Sequence, residues 1–425
     1  MLDLLTGLEA KSLVVLADSS ADGSTAIGDR ESRYGFLETV RQYALARLEE
    51  DDAAEETRLR FARHYLALAE TAEPELVKRD QVAWLARLDA EHDNMRAALA
   101  RVGVTVDAPV AASASVEWAA LGLRLVAALW WYWFVRDYLS EGRRWLEGTL
   151  ALDVYCGHDA ETGDAAHRTR AARAKALRGA GILASQQGDY GRAGTLLGEA
   201  IALSKAAGDR KGVAGALNSL GRIAQMQGDY ARAAPLYEES LVMQRALGNG
   251  QGIAGTLNNL GLVAYMRGEH ARAAALYEES LALKREAGHT QGIASSLSNL
   301  GIVALARGDV DGAAVLYEES LGLRREVGDK EGMALALDGL AAVAGAHRQP
   351  GRAARLIGAA TALRLAMGAP QQPPPSFSPH YEPTVAAALA ALGEDRFTML
   401  SREGQAMTLE ETIAYARKRS AYEAT

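Results

Sequence analysis

The sequence predicts an all-α protein, a solenoid (α-α superhelix) built from repeated helix pairs. Three observations support this. The middle of the chain repeats every 40 residues, with closely related segments starting at Gly215, Gly255 and Ser295. Within each repeat, apolar residues recur at the three- and four-residue spacing of a helix. A glycine near the centre of each repeat, such as Gly228, divides it into two helices.

Each repeat carries an apolar stripe on both of its helices. Leu217, Leu220 and Ala224 fall on one face of the first helix, helix A, and Tyr237 lies on the buried face of the second, helix B. Five such units are expected in residues 169–368. The two outermost copies, one looser and one that decays, begin at Lys175 and Leu335.

The abundant glycines, 42 of 425 residues, have two expected roles. Gly248 follows a helix B, where a glycine is typical of a helix C-terminus. Gly221, Gly261 and Gly301 instead fall inside helix A, where glycine costs about 1 kcal/mol relative to alanine. We interpret these three as packing spacers, at which a neighbouring helix approaches closely.

The pattern of small and large residues resembles the tetratricopeptide repeat. The matching positions are Leu217, Leu220, Gly221 and Ala224 on helix A, with Ala233, Tyr237 and Ser240 on helix B. The family's large aromatic positions on helix A are leucine and alanine here. Its usual period is about 34 residues, and we expect the extra residues between units, around 248–253. This lengthened form resembles the repeats of kinesin light chains and of bacterial sensor-regulators.

A sixth, degenerate unit with a polar insertion is expected in residues 113–168. Residues 130–135 would form its helix A, residues 144–146 would lie on its helix B, and residues 153–167 would form the insertion. Five of the six tryptophans lie in residues 118–145.

An aromatic run at residues 130–134 covers every side of the predicted helix, so we expect that helix to be buried all round. The favoured interpretation is a packed joint between the N-terminal region and the solenoid. The alternative is an aromatic pocket for an effector, because pockets tend to form between domains.

The N-terminal region shows a different pattern. Residues 1–50 are expected to form the end of a winged helix, and residues 51–112 a helical connector. The expected elements are a helix at 2–13, strands at 14–16 and 34–37 flanking a flexible loop at 18–32, and helices at 39–48, 53–70 and 81–101.

Several segments resemble large bacterial ATP-dependent transcriptional regulators of the LuxR and AfsR kind (MalT-like, STAND). These segments are residues 4–48, 84–99, 353–370 and 406–417. Such regulators join a nucleotide-binding domain, a winged helix and tetratricopeptide repeats, and some end in a helix-turn-helix. The resemblance implies that residues 369–425 form a proline-rich link and a C-terminal helical cap.

The sequence lacks the G-x-x-x-x-G-K-[ST] phosphate loop of that family's nucleotide-binding domain. We also recognise no helix-turn-helix after residue 417. We therefore expect that this chain by itself neither hydrolyses ATP nor binds promoter DNA.

Charge and composition limit the partners. The chain has 54 acidic and 46 basic side chains and a net charge of -8, which disfavours bulk-charge binding to nucleic acid or anionic membranes. Its single cysteine, Cys156, excludes intramolecular disulfides and fits a reducing compartment. The most apolar run, residues 125–135, is shorter than the roughly 20 residues that span a bilayer. A cytoplasmic location is expected.

No group of residues predicts catalysis or metal binding. Residues 91–94 combine an imidazole with carboxylates, but adjacent helical positions point in different directions. We therefore interpret His92 as an interface residue. Cys156, His158 and His167 would lack a fourth ligand for a metal. We expect no enzymatic activity, no cofactor and no metal site.

The groove of the solenoid is the candidate binding surface, because solenoids use their extended concave face for binding. The tetratricopeptide family holds a peptide backbone with an asparagine before the Leu-Gly pair, which the resemblance assigns to Asn259 and Asn299. An amide both donates and accepts hydrogen bonds, and methionine adapts to apolar partners. The candidate groove residues are Lys175, Arg178, Asn218, Arg222, Met226, Asn258, Asn259, Tyr265, Met266, Ser298 and Asn299.

Two sets of polar residues also have a structural interpretation that involves no ligand. Asn258 and Asn259 could instead satisfy hydrogen bonds between units. The glutamate pairs on helix B are expected to form a solvated outer face: Glu238 and Glu239, Glu278 and Glu279, Glu318 and Glu319.

Together these features predict a non-catalytic sensor or scaffold module of a bacterial transcriptional regulator. It would bind a regulatory protein, a peptide or a small-molecule inducer in the groove, and act with a nucleotide-binding domain encoded upstream. The alternative is a free-standing adaptor that binds peptide segments of partner proteins. A phosphate loop in frame upstream of this chain would favour the regulator.

Overall fold

The described part of the chain is almost entirely helical, which confirms the all-α prediction. The structure is a computed structural model that describes residues 13–17, 33–78, 80–102, 116–152, 164–367 and 380–418, together with residues 8 and 11. These residues form 19 α-helices, one short 3₁₀ turn and one two-stranded sheet.

A small antiparallel sheet precedes the first helix. Strand β1 (Val14–Ala17) pairs with β2 (Arg33–Phe36), with Val14 opposite Phe36. Helix α1 (Glu38–Glu49) follows at once, and none of its residues is buried. Most of the helix expected at residues 2–13, and the loop expected at 18–32, lie outside the described residues. The winged helix therefore stays a prediction.

Three helices form the connector. They are α2 (Ala54–Ala72), α3 (Gln81–Ala90) and α4 (His92–Ala100). The prediction of a single helix over residues 81–101 was wrong, because the chain turns at Glu91, where φ is -104° and ψ is 6°. The Glu91 carboxylate accepts hydrogen bonds from Asn94 at 2.7 Å and from the Tyr65 hydroxyl at 3.2 Å. These bonds fix the turn against α2.

Helices α5 (Val116–Val135) and α6 (Leu139–Leu150) form the pair that precedes the array. Helix α5 is buried between α2, α6 and α7, the first helix of the array, as the packed-joint interpretation requires. Tyr132 and Trp133 are almost fully buried. The Trp131 indole donates a hydrogen bond to the Leu76 carbonyl at 3.2 Å.

Helix α5 is longer than the apolar run at residues 125–135 suggested. Among the described residues it is the one helix long and apolar enough to cross a membrane, with a mean hydropathy of 1.3 over residues 117–135. However, 72% of that window is buried inside the protein. Its hydrophobicity is therefore explained by its place in the core.

Ten helices form the array as five A–B pairs. The pairs are α7 (Asp164–Gln186) with α8 (Tyr190–Ala206), α9 (Arg210–Met226) with α10 (Tyr230–Ala246), α11 (Gly250–Met266) with α12 (His270–Glu286), α13 (Thr290–Ala306) with α14 (Val310–Glu326), and α15 (Lys330–Ala346) with α16 (Pro350–Ala366). Each helix packs on the one before and the one after. Since α7 begins at Asp164, the polar insertion expected at 153–167 ends in a helix.

The extra residues of the 40-residue unit do not form a loop between units, as had been expected at 248–253. Helix α11 already begins at Gly250, so most of these residues are helical. Gly248 ends helix B in a left-handed conformation, with φ of 63°. Asn249 then caps the next helix by accepting a hydrogen bond from the Gly252 amide at 3.3 Å. The 40-residue unit thus consists of two 17-residue helices and the short turns that join them.

The packing-spacer interpretation of the mid-helix glycines is confirmed. A Cβ atom on Gly221, Gly261 or Gly301 would lie within 2.6–2.8 Å of a tyrosine ring of helix B in the same unit. Real Cβ contacts are never that short. The three facing tyrosines are Tyr237, Tyr277 and Tyr317, all buried.

Three helices follow the array: α17 (Tyr381–Leu392), α18 (Glu394–Gln405) and α19 (Leu409–Arg417). Helix α17 packs on α15 and α16, α18 packs along α16, and α19 reaches α14 and α16. Helix α19 starts with a capping box, in which Thr408 and Glu411 bond each other's backbone amides.

Candidate functional site

The candidate surface is the row of A helices, whose neighbours contact each other directly from α7 to α15. Hydrogen bonds between asparagine side chains cross from one A helix to the next. Asn259 donates to the Asn218 carbonyl oxygen at 3.3 Å, and Asn299 donates to that of Asn258 at 3.0 Å. The hydrogen bonds between units that the alternative interpretation requires are therefore present.

The two asparagines of each bond differ in what they have left for a ligand. Asn259 and Asn299 each use one of their two amide hydrogens within the protein. Asn218 and Asn258 act as acceptors in these bonds, so their NH₂ groups remain as donors on the partly buried surface. Of the four, Asn258 and Asn299 also line a cavity, described below.

A cavity of about 510 Å³, here called the front cavity, lies where α2 and α5 meet α7 and α9. Two of the predicted groove residues, Lys175 and Arg178, line it. Its charged lining residues are Arg124, Arg168, Lys175, Arg178, Lys211, Glu70, Glu73 and Asp209. Five of these eight side chains are basic, so the front cavity is cationic in a protein whose net charge is -8.

The two predicted groove residues in the front cavity are in different states. Lys175 is ion-paired with Glu73. The Arg178 guanidinium lies over the Trp130 ring, 5.1 Å from its centroid. Among the described residues Arg178 makes no hydrogen bond and no ion pair, and burial lowers its pKa. Of the two, Arg178 is the group that still lacks an acceptor.

The predicted groove residues in the middle of the row differ in how far they are buried. Arg222 is partly buried, which lowers its pKa, and it donates to Gln186 at 3.5 Å. Tyr265 is partly buried, with its ring centroid 5.4 Å from that of His270. Met226 and Met266 are 45% and 44% exposed. Both methionine side chains are thus exposed to solvent, and their contact with a partner stays a prediction.

A second cavity of about 440 Å³, here called the rear cavity, lies between α11, α13, α15 and the start of α17. Asn258, Ser298 and Asn299 line it. The Ser298 hydroxyl is buried and lies 2.9 Å from that of Ser320, so it serves the packing of α13 on α14. His380, just before α17, places its Nε2 atom 3.4 Å from the Ile302 carbonyl oxygen. Burial lowers the pKa of His380.

Sequence reasoning missed two kinds of lining residue. Lys211 lines the front cavity, and Glu331 lines the rear cavity. The two residues occupy the same position of different units. The repeat register could have identified them, because this position changes along the array from Lys211 through Gln251 and Gln291 to Glu331. His380 follows the array and has no counterpart in the repeat, so no sequence signal pointed to it.

The other clusters singled out in the sequence have structural roles or lie outside the described residues. His92 is an interface residue, as predicted: it stacks on Tyr138 at 4.9 Å and lies 3.2 Å from the Glu141 carboxylate. Cys156 and His158 lie outside the described residues. In the part that is described, no three His, Cys, Asp or Glu side chains are grouped to hold a metal.

The outer glutamates do more than face solvent. Arg245 pairs with Glu279 at 2.5 Å, and Arg285 pairs with Glu319 at 2.8 Å, in each case across a unit boundary. Exposed pairs of this kind contribute little individually. All of these paired side chains lie on B helices, whereas the asparagine row lies on A helices.

Comparison with known protein families supports the fold. The tetratricopeptide repeat family matches residues 212–286 and 293–327. The apo form of RapI is 14% identical, with a TM-score of 0.50, covering 89% of this chain and 90% of that one. BtubC from P. vanneervenii is 24% identical, with a TM-score of 0.43, covering 48% of this chain and 85% of that one. The fold is a tetratricopeptide-repeat solenoid.

Relatives among curated proteins cover a smaller part. Two are proteins of Mycobacterium bovis and Mycobacterium tuberculosis whose names describe them as HTH-type transcriptional regulators. Each is 33% identical over 153 residues, which is 35% of this chain and 14% of the relative. The matched segment thus spans about one seventh of the length of these relatives.

Proposed function

We propose that this chain is the non-catalytic sensor and scaffold module of a bacterial transcriptional regulator, acting in the cytoplasm. It binds a regulatory protein or peptide, or a small-molecule inducer, on the row of A helices, which forms the concave face of the solenoid. The observation that carries this proposal is the polar row itself. Arg178, Asn218 and Asn258 occupy one position of three successive units and keep hydrogen-bond donors that the described contacts leave unused.

The chemistry of this row suits an extended chain. Primary amide donors at a regular spacing can bond to peptide carbonyl groups without selecting side chains. Exposed Met226 and Met266 add apolar contacts that can adapt to different partners. Solenoids present extended surfaces for this kind of binding.

The regulatory context is supported by the 33% identity to proteins named as transcriptional regulators. In this proposal, the nucleotide-binding domain and the DNA-binding domain belong to other parts of the regulator. The mechanism is linkage: a ligand that prefers one curvature of the solenoid shifts how the solenoid docks on the nucleotide-binding domain. The N-terminal β1–β2–α1 unit, in a segment that resembles LuxR and AfsR regulators, would belong to that docking region.

Matched surface variants test this proposal. Twelve-residue peptides would be selected from a random library against the full chain, and their affinities measured by fluorescence anisotropy. Met226→Glu with Met266→Glu should weaken binding at least tenfold, because charges replace exposed apolar contacts on the A helices. The control is Val242→Glu with Val315→Glu, on B helices, where the valines are 69% and 48% exposed.

Both double variants should keep the wild-type melting temperature, because all four side chains are exposed. Equal affinity of the methionine variant and the wild type would contradict binding on the A helices. Failure to select any peptide that binds the wild-type chain would contradict peptide recognition itself.

A further inference from the structure

We propose that the rear cavity binds an uncharged cyclic amide, such as a lactam or an imide, and that the Tyr317 hydroxyl donates a hydrogen bond to its carbonyl oxygen. This inference rests on the proposed function for the face that binds the ligand, and it names the class of small-molecule inducer that this face takes. It starts from Tyr317, which is only 3% exposed. Among the described residues, its hydroxyl has no hydrogen-bond acceptor.

The packing of Tyr317 directs this hydroxyl into the rear cavity. Its ring lies between Gly301 of α13 and Gly339 of α15, where a Cβ atom on either glycine would overlap the ring near the carbon that carries the hydroxyl. Because helix backbone covers both sides of the ring, the hydroxyl end is the part of the side chain that reaches the cavity. Burial raises the pKa of Tyr317, so the hydroxyl stays protonated and can donate.

The repeat shows which acceptor Tyr317 lacks. The equivalent tyrosine of the second unit, Tyr237, donates its hydroxyl hydrogen to Gln225 at 2.9 Å. In the unit of Tyr317, the position of Gln225 is occupied by Leu305, whose side chain cannot accept a hydrogen bond. A buried hydroxyl without a partner is unfavourable. A ligand that supplies an acceptor therefore gains an interaction that the protein itself leaves unmade.

A second difference between units leaves space beside the hydroxyl. The position that holds Asn259 and Asn299 is Gly339 in the last unit, so no side chain fills this place. The rear cavity has a volume of about 440 Å³, within the usual range for small-molecule sites. Ile302 and Leu335 add apolar side chains to its lining. A small ring with one polar edge suits such a space.

Two asparagines of the lining supply the groups that an amide needs. Asn299 donates to the Asn258 carbonyl oxygen at 3.0 Å, which leaves the Asn299 carbonyl oxygen as an acceptor and the Asn258 NH₂ group as a donor. A cyclic amide presents its C=O and N–H groups on the same side. It can thus accept from Tyr317 and Asn258 while it donates to Asn299. A trans peptide unit presents these two groups on opposite sides, so the arrangement favours a ring over an extended peptide.

The charges around the rear cavity favour an uncharged ligand. Arg324 pairs with Asp329 at 2.7 Å, so this cation is already neutralised. Burial lowers the pKa of His380, whose Nε2 atom faces the Ile302 carbonyl oxygen at 3.4 Å and therefore carries the ring hydrogen. Glu331 is exposed, where solvent screens its charge. Among the described lining residues, no cation is left for an anionic ligand.

Isothermal titration calorimetry on the full chain tests this inference. The probes are caprolactam, glutarimide and 2-quinolone, each compared with its N-methyl derivative. The variants are Tyr317→Phe and, as a matched control, Tyr237→Phe, at a buried tyrosine that does not line the rear cavity. We expect Tyr317→Phe to weaken binding about three- to tenfold, the effect of losing one neutral hydrogen bond. The N-methyl derivatives should bind more weakly because they cannot donate to Asn299.

Urea unfolding separates a role in binding from a role in packing. Tyr317→Phe should keep the wild-type unfolding midpoint, because its hydroxyl has no partner to lose. Tyr237→Phe should lower the midpoint, because its hydrogen bond to Gln225 is lost, yet it should bind the probes like the wild type. A lower midpoint with unchanged affinity in Tyr317→Phe would refute the inference.

The outcomes also separate this inference from the proposed function. If none of the three probes binds the wild type, the amide site is refuted, while the selected peptides can still bind where Met226 and Met266 are exposed. If a probe binds and depends on Tyr317 but no peptide can be selected, peptide recognition is refuted and the amide site stands. Equal affinity for the probes and their N-methyl derivatives would refute the assignment of an amide.

Discussion

One position of helix B holds a polar or charged side chain in four units, and its partner differs from unit to unit. The four residues are Gln244, Lys284, Arg324 and Arg364, each partly or fully buried. Gln244 accepts from Asn249, Arg324 pairs with Asp329 at 2.7 Å, and Arg364 pairs with the buried Asp338. Lys284 donates a hydrogen bond to a neutral hydroxyl, that of Ser296, at 2.8 Å.

The residue that precedes the next helix explains the difference. Where other units have Asn249 or Asp329, the unit that follows Lys284 has His289, which does not cap its helix. The Lys284 ammonium adds to burial in lowering the pKa of His289. Burial lowers the pKa of Lys284 itself from 10.5 to about 8. Among the described residues, Lys284 is thus a partly buried cation without an ion-pair partner.

A pH-dependent stability follows from Lys284. Its pKa is lower in the folded than in the unfolded chain, so between about pH 8 and 10.5 the unfolded chain binds more protons. The contribution of Lys284 to the free energy of unfolding therefore rises with pH across that window. At pH 7.5, Lys284→Met should be more stable than the wild type by about 1–3 kcal/mol, because methionine buries no charge.

Urea unfolding at pH 7.5 and 9.5 measures this effect, because comparing the variant with the wild type cancels the other titrating groups. The advantage of Lys284→Met should shrink at pH 9.5. Lys330→Met, at an exposed lysine, should show no such change. An advantage that stayed the same at both pH values would contradict the buried-cation argument.

At the scale of one helix, the same residue type stabilises at one position and destabilises at another. Helix α11 contains both Gly255 and Gly261. A Cβ atom on Gly255 would meet no atom within 4 Å, whereas one on Gly261 would lie 2.6 Å from the Tyr277 ring. Gly255 therefore only weakens the helix, while Gly261 lets helix B approach.

Two alanine substitutions in α11 should thus have opposite effects. Gly255→Ala should stabilise the protein by about 0.5–1 kcal/mol, the difference in helix propensity. Gly261→Ala should destabilise it by about 1–3 kcal/mol, since Tyr277 must move in a packed core. Chemical denaturation of both variants checks this. Stabilisation by Gly261→Ala would show that it is not a packing spacer.

These elements also show what the sequence could predict. The spacers Gly221, Gly261 and Gly301 were found because a residue that is unfavourable in a helix recurs in register, so packing had to explain it. The break at Glu91 was missed because it depends on hydrogen bonds to Tyr65 and Asn94 rather than on a helix-breaking residue. A local sequence pattern indicates the conformation that a segment prefers by itself. It indicates a tertiary contact only where that contact recurs in successive repeats.

The same limit applies to the candidate site. The repeat register placed Arg178 and the asparagines on the A helices. It could not show that Lys175 is neutralised by Glu73, because Glu73 lies outside the array. Nor could it show that Asn259 and Asn299 each donate one amide hydrogen to the neighbouring unit. Which groups are left for a ligand is a property of the assembled surface.

At the scale of the whole molecule, a solenoid has two ends that its own repeats leave uncovered. Here the N-terminal end packs against the tryptophan-rich helix α5, and the last unit is covered by α17, α18 and α19. Arg325 continues the outer pairs by bonding Glu410 of α19 at 3.0 Å. The C-terminal helices therefore take the place that a further unit would have occupied.

The contact between α16 and α18 is the closest point of this cover. A Cβ atom on Gly358 would lie 2.0 Å from the Ser401 carbonyl oxygen, and one on Gly404 would lie 1.9 Å from that of Arg355. In both cases the obstacle is backbone, which cannot rotate away as a side chain can. Gly351, on the same α16, is different: a Cβ there would lie 3.5 Å from a Leu400 methyl group.

Gly358→Ala should therefore loosen the C-terminal cover while Gly351→Ala leaves it in place. We expect Gly358→Ala to lower the free energy of unfolding by about 1–3 kcal/mol, because α18 must move away from α16. Since each unit of a solenoid contacts only its neighbours, the loss should stay local. Hydrogen exchange should speed up in α15, α16 and α18 and stay unchanged in α5 and α7. Faster exchange throughout the chain would show instead that the array unfolds as one unit. An unchanged exchange rate in α18 would show that the close contact between α16 and α18 is not needed to hold the C-terminal helices in place.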